Sequence, residues 1–211
     1  MKKFIIVPVA LISLLFMSSN GLINNILPNK NKITSEKKPI VHIIPLGEVD
    51  SSYVIFIKKS IEDFFPEIQC VIDPKENLTP DLLANSGTRY EATKIITKYK
   101  TNKNILLITD SDIAYHNKQK KIKEYGIIGL GFRPGKTCVV STYRIKRNGK
   151  IKLMDRLKKV SLHEIGHNLN IKHCENSKDC LMHSADGTVS QIDREKIWIC
   201  NMCRKSIKKL S

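Results

Sequence analysis

Most of the histidines and cysteines in this chain fall between Ser161 and Cys203. The segment opens with His163-Glu164-Ile165-Gly166-His167 and runs through Asn170 to His173. Cys174 follows at once, then Cys180, the Leu181-Met182 pair and Cys200-Asn201-Met202-Cys203. On a helix, residues four apart share a face, so His163 and His167 can hold one ion together. Glu164 lies beside that face and can reach a water on the ion without ligating it. A tetrahedral zinc with three protein nitrogens keeps its fourth position for water, as hydrolysis requires. His173 lies too far along to share the helical face. The helix must therefore end between His167 and His173 and the chain must turn back. Asn170 falls where that turn belongs, and Asn tolerates left-handed backbone better than most residues.

The last four cysteines pair as C-x5-C (Cys174, Cys180) and C-x2-C (Cys200, Cys203), with 19 residues between the pairs. Short pairs across such a gap read as a four-cysteine zinc site. In a lobe of about forty residues, a metal supplies stability that a small core cannot. The competing reading is disulfides, because the N-terminus has the layout of an export signal. Adjacency to the His motif favours zinc. Cys70 and Cys138 lie in apolar runs and read as buried free thiols.

The elements that must position these groups alternate in type. Residues 40–44 form an apolar run ended by Pro45-Leu46-Gly47, a first strand in which His42 is an ordinary sheet histidine. Residues 49–65 carry a helical pattern stopped by Pro66, and residues 68–72 read as a second strand. Thr79-Pro80-Asp81 offers a helix start, and residues 90–100 have helical spacing. Asn104–Thr109 is the clearest strand, its unbroken apolar run marking a central position covered on both faces. Asp110-Ser111-Asp112 reads as a loop, and residues 118–124 as a charged, exposed one. Gly126, Gly129 and Gly131 lack dinucleotide-binding spacing and precede a turn at Pro134-Gly135; they let a strand run close to a substrate backbone. Residues 137–145 read as a strand. Residues 152–169 form a helix whose apolar stripe, Leu153, Leu157 and Val160, turns into His163, Glu164 and His167. This order predicts an α/β fold, a mostly parallel mixed sheet packed on helices, over residues 39–211, with a small zinc-bearing C-terminal subdomain at 168–211.

H-E-x-x-H followed by a third His six residues on resembles the zinc signature of the metzincin metallopeptidases. The Cys after the third His, the Cys-Leu-Met triplet and the distant C-x-x-C resemble the archaemetzincin branch of that clan, as do Val139 to Arg144 ahead of the helix. Asn170 stands where metzincins commonly have Gly. The resemblance implies that His163, His167 and His173 bind a catalytic zinc and that Glu164 is the general base. It implies a second, structural zinc on Cys174, Cys180, Cys200 and Cys203, and it makes Met182 the methionine beneath the catalytic metal. It implies an edge strand near Tyr125 to Phe132 that pairs with substrate, and peptide substrates, small ones with aminopeptidase-like preference.

Length and charge narrow the alternatives. The 211 residues suit one domain with a short extra segment. There are 36 Lys and Arg against 20 Asp and Glu, a net charge of +16. The Lys are scattered, and no recognition helix or aromatic-Arg interleaving accompanies them, so no nucleic acid is expected as partner. Residues 1–20 join two lysines, an apolar run at 4–17 and small polar residues, the layout of a signal peptide. The run is short for a membrane span but leaves an N-terminal anchor open. The expectation is an exported or membrane-anchored protein, with residues 21–38 as linker. Two rival functions remain: a basic, zinc-stabilised module binding an anionic surface, and an inactive peptidase relative that binds peptide without turnover.

Overall fold

Four consecutive apolar residues, 105–108, need cover on both faces, and they have it. In the computed structural model, which describes residues 38–118, 121–184 and 187–208, the chain runs β1 (Ile40–Leu46), α1 (Ser51–Phe64), β2 (Gln69–Ile72), β3 (Tyr90–Glu91), α2 (Ala92–Lys98), β4 (Asn104–Thr109), β5 (Ile113–Asn117), β6 (Ile122–Ile127), β7 (Gly129–Gly131), β8 (Thr137–Ser141), α3 (Gly149–Asn168), α4 (Val189–Arg194) and α5 (Asn201–Lys208). The main sheet has the order β2-β1-β4-β8-β7. Its first four strands are parallel, and β7 runs antiparallel to β8 along one edge. Leu106 and Ile108 pack with Val41, Ile43 and Val140 against α1 and α3, in a core that continues to the four C-terminal cysteines. Ile105 and Leu107 join Ile44, Leu46 and Val139 on the opposite face, under α2. The mixed, mostly parallel sheet between helices is the architecture the alternating pattern predicts.

Local chemistry sets several boundaries. Asp50 caps α1, its carboxylate accepting from the Ser52 amide at 2.8 Å. The helix predicted from residue 152 starts at Gly149, because Asn148 (φ 71°) and Gly149 (φ 83°) turn the chain through left-handed backbone just before it. Arg156, only 2% exposed, anchors this first stretch. It donates from Nε and Nη2 to Asp193, both at 2.7 Å, and from Nη1 to the Ile145 carbonyl at 3.0 Å.

Three expectations need correction. The strand predicted over 137–145 ends at Ser141, whose hydroxyl accepts from the Tyr143 amide, and Tyr143–Ile145 is a 3-10 turn. Thr79-Pro80-Asp81 starts only a 3-10 turn, Pro80–Leu82. The loop predicted over 118–124 holds the start of β6, which pairs antiparallel with β5; with β3 they form a second sheet of order β3-β5-β6. His42 sits in β1 and donates to Asp73 at 2.9 Å, an ordinary sheet histidine. The proposed signal and most of the linker lie outside the described residues. Among those described, no helix is long and apolar enough to cross a membrane.

Candidate functional site

The last turns of α3 carry His163, Glu164 and His167, and the way the helix ends brings in His173. Asn170 has φ 61°; its amide donates to the His167 carbonyl at 2.8 Å, and the Ile171 amide reaches back to the Gly166 carbonyl at 2.9 Å. This pair of bonds around a left-handed residue is a Schellman cap, with Asn170 in the place more often filled by Gly. The chain therefore reverses where the His spacing requires it. Arg133 supports the turn by donating to Asn170 Oδ1 at 3.0 Å.

The three imidazoles converge. His167 Nε2 lies 3.1 Å from His163 Nε2 and 3.2 Å from His173 Nε2. His163 Nδ1 is 2.7 Å from the Leu181 carbonyl, and His167 Nδ1 is 2.9 Å from the Ile171 carbonyl. A carbonyl only accepts, so both Nδ1 atoms carry the proton and both Nε2 atoms present lone pairs. Burial holds all three rings neutral: it pushes His163 down to about 3, with help from the neighbouring His167, and lowers His167 and His173. Three such nitrogens in contact repel unless a cation lies between them. A tetrahedral zinc, with bonds of about 2.0–2.1 Å, sets its nitrogens roughly 3.3 Å apart, close to the separations here. The His group fits zinc.

Glu164 lies against the glycines of the edge strand. A Cβ on Gly129 would stand 2.8 Å from Glu164 Oε1, and one on Gly131 would stand 2.9 Å from Oε2. Glycine is needed at both places for close approach. The sequence predicts that these glycines leave room for a substrate backbone; the group they admit is the Glu164 carboxylate. Burial pushes that carboxyl up to about 8, partly offset by the Gly131 amide that donates to it. The cleft around it has a volume of about 400 Å³ and is walled by β6 and β7, the three histidines, Ile192 and Glu195. A larger hollow of about 880 Å³, near Phe132 and Leu169, contains neither the histidines nor Glu164.

Below α3, Cys174, Cys180, Cys200 and Cys203 form a second group with sulfurs all within 4.8 Å of one another. All four are buried free thiols, as are Cys70 and Cys138. Cys174 and Cys200 sulfurs are 3.6 Å apart; a disulfide needs about 2.05 Å, whereas a zinc with four bonds of about 2.3 Å spaces its sulfurs roughly 3.8 Å apart. Burial raises Cys203 and Cys180. Cys200 is also buried, but hydrogen bonds from Cys203, Cys174 and Cys180 outweigh that and lower it. Four buried sulfurs at these separations suit a metal cation. Met182 is fully buried and packs on α3 at Gly166, where any Cβ would collide with its sulfur.

Every residue singled out by the His and Cys spacing thus falls into one of two clusters, with Glu164 beside the first. The sequence reading places Tyr125 in the candidate edge strand but passes over Tyr115 and Glu195, which join it in the cleft wall. Two short runs flanking a Lys-rich turn are the hairpin signal that could have placed the two tyrosines. His183 stands outside both clusters, its Nδ1 donating to the Cys174 carbonyl at 2.9 Å.

Known proteins are similar to this chain. The chain is 30% identical over 181 residues to the archaemetzincin of Natronomonas pharaonis, covering 79% of this chain and 98% of that protein. It is 25% identical over 179 residues to the archaemetzincin of Halobacterium salinarum, with the same coverage. The crystal structure of archaemetzincin from Archaeoglobus fulgidus complexed with malonate matches with a TM-score of 0.69 at 25% identity, covering 79% of this chain and 99% of that one. A sequence profile described as Peptidase family M54 matches residues 48–209, a span that includes both clusters, Glu164 and the edge strand. The chain therefore belongs to peptidase family M54 and is a zinc metallopeptidase.

Proposed function

We propose that His163, His167 and His173 hold the catalytic zinc, that Glu164 is the general base, and that Cys174, Cys180, Cys200 and Cys203 hold a second, structural zinc. The observation that carries this is the convergence of three neutral Nε2 atoms at 3.1 and 3.2 Å beside a buried carboxylate. Zinc at that point supplies a Lewis acid that polarises the scissile carbonyl and lowers the pKa of a water. The chain's own groups do the rest. Glu164, held by the Gly131 amide, takes a proton from the attacking water and passes it to the leaving amine. The outer edge of β7 takes up the substrate main chain as an added strand. Met182 is the apolar floor beneath the ligands, which supports placement in the metzincin clan. A cleft of about 400 Å³ suits short peptides, in keeping with the aminopeptidase-like action the resemblance implies. The N-terminal layout supports export or anchoring of the enzyme.

The direct test counts metal. The purified protein should contain two zinc ions per chain, and a His163→Ala, His167→Ala double variant should contain one. A single ion left untouched by that change would overturn the catalytic assignment; a single ion lost with it would overturn the four-cysteine site.

The edge strand gives a second test. Gly129→Ala places a methyl group against both Glu164 Oε1 and Val160, each at 2.8 Å. The carboxylate must shift, and a displacement near 1 Å lowers catalysis about 10²-fold. The expected result is a fall of that size in kcat/KM with zinc content unchanged.

A further inference from the structure

The catalytic cleft does not stop at Gly129. Gly126, Ile128 and Gly187, which line it, also line a second hollow of about 710 Å³ together with Arg89, Asp112, Tyr143, Arg144 and Arg147. Its charge is unbalanced. Arg144 donates from Nε and Nη2 to Asp112 at 2.8 and 2.9 Å, and Arg89 donates from Nε to the same carboxylate at 2.8 Å. Arg147 is exposed and has no ion-pair partner among the described residues. Arg156 and Asp193 at the margin cancel each other. Asp112 thus pairs two guanidinium groups, Arg89 also donates from Nη1 to the Glu124 carbonyl at 3.0 Å, and Arg147 lines the same hollow. Asp112 acts as a bracket that holds two arginines side by side, and Arg144 Nη1 is left with no acceptor among the described residues. Arg144 Nη1 and the guanidinium of Arg147 are the donors left for a further carboxylate.

The hollow lies on the line a substrate would follow. The backbone of β6 passes flat over Arg144 at Gly126, where a Cβ would run into the guanidinium. Gly126 is three residues from Gly129, roughly 10 Å along extended chain, and Gly129 touches Glu164. A peptide lying along β6 and β7 would bring a group two to four residues from the cleaved bond onto the arginines.

We propose that Arg144 and Arg147, with Arg89 behind them, form a subsite for a carboxylate of the peptide substrate, so that the enzyme favours peptides with an anion at one fixed distance from the cleaved bond. This rests on the reading of the His cluster and Glu164 as the catalytic centre. The carboxylate has two sources, an Asp or Glu side chain or the chain's own C-terminus.

Two synthetic peptide series separate them. One scans a single Asp, against Asn, through each position around the cleaved bond; the other compares free-acid with amidated C-termini at varied length. The expected result is a preference of about ten- to a hundredfold in kcat/KM at one position or one length, the value of a charge-assisted hydrogen bond. General attraction to a chain of net charge +16 would favour Asp equally everywhere, and that outcome overturns the subsite. So does equal cleavage of Asp and Asn, or of acid and amide, throughout both series. In Arg147→Glu, a change at an exposed position, the preference should vanish or invert, and its survival overturns the assignment. Arg144→Gln should reduce it as well. If the parent enzyme cleaves no peptide in either series, the peptidase reading fails and this inference with it; cleavage without preference removes only the subsite.

Discussion

Glu164→Gln is expected to reduce kcat/KM on any cleaved peptide by 10²–10⁴-fold, the usual contribution of a positioned general base, while zinc content and melting temperature stay close to those of the parent. The amide keeps the shape that lies between Gly129 and Gly131 but cannot take up a proton. The amide carries no charge to bury, so it costs the fold little. The loss should therefore appear in kcat and not in stability. A variant that retained full turnover would show that Glu164 is not the base. A parent protein that binds zinc and peptide but shows no Glu164-dependent cleavage would instead be an inactive relative.

The second large effect concerns stability. In a Cys200→Ser, Cys203→Ser variant, one zinc should be lost and the segment from Asn168 onward should cease to hold its structure. Structural zinc in small domains contributes on the order of 10–16 kcal/mol, comparable to the whole net stability of a typical domain. Losing even about 4 kcal/mol of it lowers the melting temperature by roughly 8–16 °C for a chain of this size. A thermal melt checks this. A chelator should destabilise the parent in the same way, whereas a thiol reductant should not; the reverse pattern would point to disulfides. Activity should fall too, because the Leu181 carbonyl that fixes the His163 ring belongs to this segment.

Much of the site is legible in the sequence because it is local. His163, Glu164 and His167 need only helical spacing, and Asn170 announces the turn that returns His173. Four cysteines in two short pairs declare a common partner before any coordinate is known. Asn104–Thr109 announces a covered central strand by composition alone. What is not legible depends on pairing across distance. The β5–β6 hairpin is easily missed because its strands are short and half polar, so the turn between them is the only local sign of it. Asp112 reads as an ordinary turn acid until Arg89 and Arg144, 23 and 32 residues away, are seen to share it. The role of Gly129 and Gly131 is misplaced for the same reason: spacing shows that something approaches closely, and only the fold shows that it is Glu164.

His173 and Cys174 are neighbours in the chain yet belong to different clusters. A single peptide bond thus spans the two clusters, and chain length is fixed there. Between Cys174 and Cys180 the backbone runs through a largely exposed turn closed by the Cys180 amide on the Ser177 carbonyl. An added residue in that turn would leave the two clusters in register, whereas one added at the junction would shift one cluster against the other. The lobe can therefore take loops of other sizes, but the step between its two clusters is set by one bond.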